Sequence, residues 1–137
     1  MTFRSLQLFI VPEHLAVIRL EPNAALPPWA SSGALVSFTR TEDELSIVCP
    51  ANSVPAGVAC ESRFSCLKVR GPLEFSETGV LASLASPLSE AGISLFVLST
   101  FETDYILVAE DELERALAVL TGVGHQILAF QGENGAA

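Results

Sequence analysis

The sequence has few of the residue types that enzymes and metal sites use. Its 137 residues include two histidines and three cysteines, and no pair of them stands at metal-ligand spacing. It contains no glycine-rich phosphate loop, no HExxH motif and no evident Cys–His or Ser–His pair. We therefore expect no catalytic residues, no metal, no cofactor and no enzymatic activity. The odd cysteine count, without a CxxC pair, also argues against a disulfide scaffold.

Basic residues are scarce too, and the hydrophobic runs are short. Seven Lys and Arg stand against sixteen Asp and Glu, so the net charge is −9. Such a surface repels polyanions, which excludes nucleic acid and anionic membranes as expected partners. The longest apolar runs, residues 93–98 and 105–109, are too short to cross a bilayer. The apolar residues near the N-terminus precede no cleavage site, so we expect no signal peptide and a cytoplasmic location.

Apolar residues make up 50% of the chain, and in its second half they follow a clear pattern. Residues 66–70, 93–98, 105–108 and 126–130 have the character of strands. A first helix is expected to start after an N-terminal cap at Ser76 or Thr78, to be kinked at Pro87 and to end at residue 91. A second helix is expected to start at Asp111, with Glu114 in a capping box. The apolar stripe of the first helix comprises Val80, Leu81, Leu84, Ala85, Leu88 and Ala91. This order predicts a four-stranded antiparallel sheet with both helices on one face, the ferredoxin-like βαββαβ arrangement.

The first half of the chain carries a weaker copy of the same pattern. Residues 39–48 align without gaps on residues 99–108, with Glu42 opposite Glu102 and Val48 opposite Val108. Prolines limit helices in this copy to a turn or two. Residues 6–11 are an extra strand, which we expect to replace the missing fourth strand of the first copy.

The fold class is therefore expected to be α+β, with two tandem ferredoxin-like βαββαβ units and antiparallel sheets. Residues 1–64 form a degenerate first unit, residues 65–131 a complete second unit, and residues 132–137 a disordered tail.

Two polar segments of the second unit are candidates for a ligand site. One is residues 75–79, between the first strand and the first helix, and the other is residues 99–104, in the hairpin. A helix N-terminus offers N–H groups to a carboxylate, and Glu77 and Asp104 could hold an ammonium or guanidinium group, which suits an amino acid. We expect the two segments at opposite ends of one layer, so that they converge only if two units pack side by side. The alternative is that Ser76, Thr78 and Asp104 only cap the helix and the turn.

Residues 79–108 resemble the ACT-domain proteins related to the CASTOR arginine sensors. The stretch Ser99-Thr-Phe-Glu-Thr-Asp-Tyr-Ile-Leu-Val108 is a fairly specific part of this resemblance, and residues 39–50 resemble the small bacterial members with two ACT units. The resemblance implies a regulatory protein that binds an amino acid or related metabolite at an interface between units. The sensors have four units per chain, so a full pocket here needs the first unit or a second chain.

Carried over residue by residue, the positions that hold arginine in the sensors become Glu77, Gly79, Val80, Leu81, Thr100, Phe101 and Asp104. With the adjacent polar residues, the candidate ligand-binding set is Ser76, Glu77, Thr78, Gly79, Val80, Leu81, Ser99, Thr100, Phe101, Thr103 and Asp104. We expect a non-catalytic homodimer that binds a small amino acid, arginine-like ones included. The alternatives are a ligand-free dimerisation or protein-interaction module, and a small enzyme or enzyme subunit that uses a carboxylate pair.

Overall fold

Strands dominate the computed structural model, which describes residues 5–60, 63–73 and 78–129. The helices and strands are β1 Gln7–Ile10, β2 Leu15–Leu20, β3 Ser37–Arg40, β4 Leu45–Pro50, β5 Phe64–Val69, α1 Val80–Glu90, β6 Phe96–Ser99, β7 Asp104–Ala109, α2 Leu113–Gly122 and β8 Gln126–Leu128. Short 3₁₀ turns cover Pro28–Ala30, Ala51–Ser53 and Glu110–Glu112. The predicted tail, residues 132–137, lies outside the described residues, as do Ser76, Glu77 and Phe130.

The chain divides into two compact units with a boundary inside β5. The first unit is Pro12–Ser65, and the second unit consists of the described parts of Met1–Val11 and Cys66–Ala137. The predicted boundary after residue 64 is close to this division, but residues 5–11, which the prediction assigned to the first unit, belong to the second.

The strand near the N-terminus is an interior strand of the second unit's sheet. β1 pairs antiparallel with β5 and parallel with β8, and β7 pairs with both β5 and β6. Within the described residues the sheet of this unit therefore has five strands in the order β8-β1-β5-β7-β6, not the four that we predicted. The expectation that residues 6–11 complete the first copy is wrong, because Leu6 and Leu8 are buried in the core of the second unit.

Both helices of the second unit cover one face of its sheet. Alternate residues of β1, β5 and β7 form a single buried cluster with residues of α1 and α2, and the two helices also contact each other. The cluster contains Leu6, Leu8, Leu67, Val69, Val80, Leu84, Leu88, Ile93, Ile106, Val108, Ala116 and Leu120. Burying each large aliphatic side chain contributes about 1.5–3 kcal/mol, so this layer is the main source of the unit's stability.

Helix α1 contains Pro87 and is continuous from Val80 to Glu90. A proline has no N–H, so the carbonyl of Ser83, four residues earlier, lacks its usual helical donor. The buried ring of His125 supplies one, because its Nε2 lies 2.9 Å from that carbonyl oxygen. The other ring nitrogen, Nδ1, accepts the Leu6 N–H at 3.0 Å, so the two partners together assign the neutral tautomer with the proton on Nε2. His125 thereby connects α1 with the residue before β1.

The ends and the exposed face of the helices differ from the predictions. The N-cap of α1 is Gly79, at φ 81°, and no side chain caps it, so Thr78 does not have the predicted role. Leu81 is 40% exposed, since the buried positions are Val80, Ser83, Leu84, Pro87 and Leu88. Helix α2 starts at Leu113 after a 3₁₀ turn and also lacks a side-chain cap, so the predicted capping box does not form.

The first unit is a three-stranded antiparallel sheet without an α-helix in its described residues. β4 lies between β3 and β2, and Leu15 at the start of β2 also pairs with Phe64. Its small core consists of Ala16, Ile18, Ala30, Leu45, Ile47 and Cys49. As predicted from the prolines, the described residues of this unit contain only short helical turns, the 3₁₀ turns Pro28–Ala30 and Ala51–Ser53.

The β3–β4 and β6–β7 hairpins have the same pairing and turn, but their equivalent residues are shifted by one position from the predicted alignment. Arg40 pairs with Leu45 at the end of one hairpin, and Ser99 pairs with Asp104 at the end of the other. The turns close through Thr41 N–H to Glu44 O at 2.9 Å and Thr100 N–H to Thr103 O at 2.8 Å. A 3₁₀ turn follows directly after both β4 and β7. The gapless alignment was therefore wrong by one residue, which in a strand exchanges the two faces.

Candidate functional site

The loop that follows β5 meets the hairpin turn between β6 and β7. The Thr103 hydroxyl donates to the Val69 carbonyl at 2.5 Å, and the Leu73 N–H donates to the Glu102 carbonyl at 2.7 Å. Gly71 permits this approach, since a Cβ there would lie 3.0 Å from that Glu102 oxygen. The expectation that this loop and the hairpin turn lie at opposite ends of the layer is wrong. The end of β5 lies beside the start of β7, which brings both connections to one end.

A small polar cleft of about 160 Å³ opens where these segments meet. It is lined by Lys68, Gly71, Pro72, Thr100, Glu102, Thr103 and Tyr105. Thr100 and Thr103 belong to the predicted set, whereas Lys68, Glu102 and Tyr105 do not. A usable signal was present in the sequence, because Lys68 is its sole lysine and points away from Leu67 and Val69 by strand alternation.

Lys68 and Tyr105 lie next to each other in the lining of this cleft. The Lys68 Nζ lies 5.9 Å from the centre of the Tyr105 ring, at the outer limit of a cation–π contact. Burial, together with the nearby Cys66 thiol and the Glu102 carboxylate, raises the pKa of Tyr105. The phenol is therefore protonated near neutral pH and can donate as well as accept a hydrogen bond.

Asp104 and Ser99 are joined across the base of the hairpin. The Ser99 hydroxyl donates to Asp104 Oδ1 at 2.6 Å, and the two residues are partners in the β6–β7 register. The carboxylate of Asp104 is half-buried and retains acceptor capacity, so it can also receive an ammonium or guanidinium group. Phe101, at the tip of the turn, is 80% exposed.

The described residues at the start of α1 do not line the cleft. Thr78 and Gly79 are exposed, Val80 is buried in the core, and Leu81 is partly exposed. Ser76 and Glu77 lie outside the described residues. Among the described residues, two members of the predicted set, Thr100 and Thr103 of the hairpin, thus lie against β5 and the loop that follows it. They do not lie against the start of α1.

A second, more open cleft of about 350 Å³ lies beside Leu73. Its lining consists of Ser5, Leu6, Gln7, Arg70, Leu73 and Gln126. Arg70 Nη1 donates to Gln7 Oε1 at 2.8 Å, and Gln7 Nε2 donates to Gln126 Oε1 at 3.0 Å. In the part of the chain that the structure describes, no group of His, Cys, Asp and Glu side chains could hold a metal ion, and no helix is long and apolar enough to cross a membrane.

Comparison with protein families identifies the class of this fold. The ACT-domain model matches residues 59–122, and a second model, for an N-terminal domain, matches residues 13–57. Cytosolic arginine sensor for mTORC1 subunit 1 from Bos taurus is 35% identical over 101 residues, covering 68% of this chain and 31% of the relative. Its Homo sapiens counterpart is 33% identical over 105 residues, covering 71% and 32%. The chain belongs to the ACT-domain family and is related to the CASTOR-type arginine sensors, of which it spans about a third of the length.

Solved structures agree with this fold. A protein from Agobacterium tumefaciens is 41% identical with a TM-score of 0.86, covering 93% of this chain and 96% of that one. A Vibrio cholerae protein of unknown function is 24% identical with a TM-score of 0.73, covering 88% and 91%. Clostridium acetobutylicum aspartate kinase, an allosteric enzyme, has a TM-score of 0.56 at 11% identity, covering 90% of this chain and 36% of the kinase. The last two likenesses concern the fold alone.

Proposed function

We propose that this protein is a non-catalytic regulatory protein that binds a small amino acid or a related metabolite at the hairpin end of its second unit. The observation that carries the proposal is the cleft beside the hairpin, where Thr100, Glu102 and Lys68 bring a hydroxyl, an anion and a cation together. Asp104 stands at the base of the same hairpin. The relationship to proteins named as arginine sensors supports an amino-acid ligand and makes arginine the first to test.

We further propose that the chain consists of two ACT-type ferredoxin-like units in tandem, the first of them degenerate. The matching turns of the two hairpins, and the 3₁₀ turn after each, support this repeat. We also propose a homodimer in which a second copy completes the pocket, and the exposed Phe101 at the tip of the hairpin supports such an interface. The sensors are named as cytosolic, which supports a cytoplasmic location for this protein as well.

A thermal-shift screen of the standard amino acids, arginine first, tests this function. A ligand at a concentration of about 100 times its Kd stabilises the folded state by about 2.7 kcal/mol, which raises Tm by several degrees. We expect at least one amino acid at millimolar concentration to produce such a shift, and Asp104→Ala to abolish it. Glu90→Ala, which removes another carboxylate, at the exposed end of α1, is the matched control and should keep the shift.

Two results would contradict the proposal in different ways. If no amino acid shifts Tm, the protein does not have this function. If a shift persists in Asp104→Ala, the ligand does not depend on the carboxylate at the base of the hairpin, and that part of the proposed site is wrong.

An interaction module is the second candidate, and the exposed Phe101 and Leu81 favour it. Large exposed apolar side chains are common where proteins associate. Under this function a tight dimer, measured by light scattering, would form without any amino-acid shift, and Phe101→Ser would weaken it.

A further inference from the structure

Cations are rare around the hairpin, and among the described residues Lys68 is bonded neither to a carboxylate nor to another oxygen acceptor. Residues 65–137 contain ten Asp and Glu but only the cations Lys68, Arg70 and Arg115. Arg115 is held by Glu112, with Nε 3.0 Å from Oε1, and Arg70 donates to the side chain of Gln7. Lys68 contacts the Tyr105 ring and has no oxygen acceptor within residues 5–60, 63–73 and 78–129. Its ammonium is therefore available to an anion that enters the cleft.

The same cleft also presents one carboxylate. Glu102 lines it from the hairpin turn, where its backbone carbonyl is fixed by the Leu73 N–H. A simple anion in this space would be repelled by Glu102, and a simple amine would be repelled by Lys68. A molecule that carries a carboxylate and an ammonium group close together satisfies both side chains with charge-assisted hydrogen bonds.

We propose that Lys68 binds the α-carboxylate of an amino-acid ligand and that Glu102 accepts hydrogen bonds from its α-ammonium. The inference rests on the proposed function and adds how the ligand is recognised, through its zwitterionic head. The phenol of Tyr105 lines the same space and can add a hydrogen bond to the carboxylate. A cleft of about 160 Å³ accommodates this head group and leaves the side chain to extend outward.

The test compares each standard L-amino acid with its α-carboxamide, which keeps the ammonium and the side chain but removes the anion. For every amino acid that raises Tm, isothermal titration gives the Kd for both compounds. Losing a hydrogen bond between charged groups weakens binding by about tenfold or more, and we expect that loss for the amide.

Four variants test which side chain binds the carboxylate and which the ammonium group. Lys68→Met keeps the aliphatic stem over Tyr105 and should weaken binding of the free amino acid by about tenfold or more, whereas Lys68→Arg should restore much of it. Arg70→Met removes the same charge two residues along the chain, in the second cleft, and should leave Kd within about twofold. Glu102→Gln should weaken binding less than Lys68→Met, because the Glu102 side chain is exposed.

The outcomes separate this inference from the proposed function. If no amino acid binds the unmodified protein, both fail together. If an amino acid binds and Lys68→Met binds it equally well, or if the amide binds as tightly as the acid, the function stands and the role of Lys68 is wrong. A loss in Arg70→Met but not in Lys68→Met would place the carboxylate in the second cleft and would also overturn the assignment. Circular dichroism of each variant shows whether it is folded.

Discussion

The two units build the same hairpin and then diverge. After β7 the turn Glu110–Glu112 leads directly into α2, whereas after β4 the turn Ala51–Ser53 is followed by extended Val54 and then Pro55. Six of the eight prolines lie in residues 12–65, and two lie after residue 65. The hairpin depends on its turn and on strand alternation, which both units have. The helical layer also needs a segment that can bury one face and that is free of prolines. A proline is tolerated where another group donates to the carbonyl four residues before it, as His125 does for Pro87.

The largest expected effect concerns that helical layer. Leu84, on α1, is fully buried in the second unit's core, and Leu84→Ala should lower the free energy of unfolding by about 2–5 kcal/mol. Leu26→Ala makes the same change in the first unit, where the side chain is 49% exposed, and should cost less than about 0.5 kcal/mol. Urea unfolding followed by circular dichroism measures both. Equal effects would mean that the helices of the second unit are not its main source of stability.

The two histidines, one in each unit, should differ by a smaller amount. His125→Phe leaves the Leu6 N–H and the Ser83 carbonyl without partners and should cost about 2–4 kcal/mol, measured by the same unfolding experiment. His14 is exposed and lies at the surface of the first unit beside Arg63, so His14→Phe should cost less than about 1 kcal/mol.

A double-mutant cycle sharpens the comparison. Pro87→Ala provides a backbone N–H for the Ser83 carbonyl, so His125→Phe should cost less in that background than in the natural sequence. Strictly additive effects would contradict the role assigned to His125 at Pro87.

The smallest expected effect is a fall in the free energy of unfolding at moderately alkaline pH, caused by ionisation of Cys66. Burial raises the pKa of the Cys66 thiol from 9.0 to about 12. Between these values the unfolded state binds fewer protons than the folded one, so stability falls as pH rises above 9 and the loss levels off above about 12. Each pH unit in this window should cost about 1.4 kcal/mol.

Chemical denaturation at several pH values checks this slope. Cys66→Ala should remove the part due to the thiol, while Cys60→Ala, which alters an exposed thiol of the first unit, should keep it. An unchanged slope in Cys66→Ala would show that another group is responsible.

Sequence reasoning was strongest where the signal is local. The alternation at Leu67 and Val69 and the apolar spacing of Ala116 and Leu120 correctly predicted strand β5 and helix α2, since side-chain periodicity directly reflects which face is buried. Leu81 was misplaced because the spacing of apolar residues alone does not say where a stripe ends. The structure buries Ser83 and Pro87 instead.

Long-range relations were beyond the local signal. Nothing near Leu6 or Leu8 in the sequence indicates that β1 inserts between β8 and β5, because pairing partners are chosen in three dimensions. The cleft is a similar case. Its lysine comes from β5 and its hydroxyls from the hairpin, so the sequence could indicate the hairpin but not the surface against which it closes.

The placement of β1 also has a consequence for synthesis on the ribosome. The Leu6 N–H bonds to a residue 119 positions later, and Gln7 pairs with Gln126 over the same separation. The strand that emerges early is thus held on one side by β8, one of the last described segments to be made. Until His125 and β8 have left the exit tunnel, one edge of β1 and the Ser83 carbonyl lack their final partners, so a nascent chain exposes an edge that a chaperone could protect.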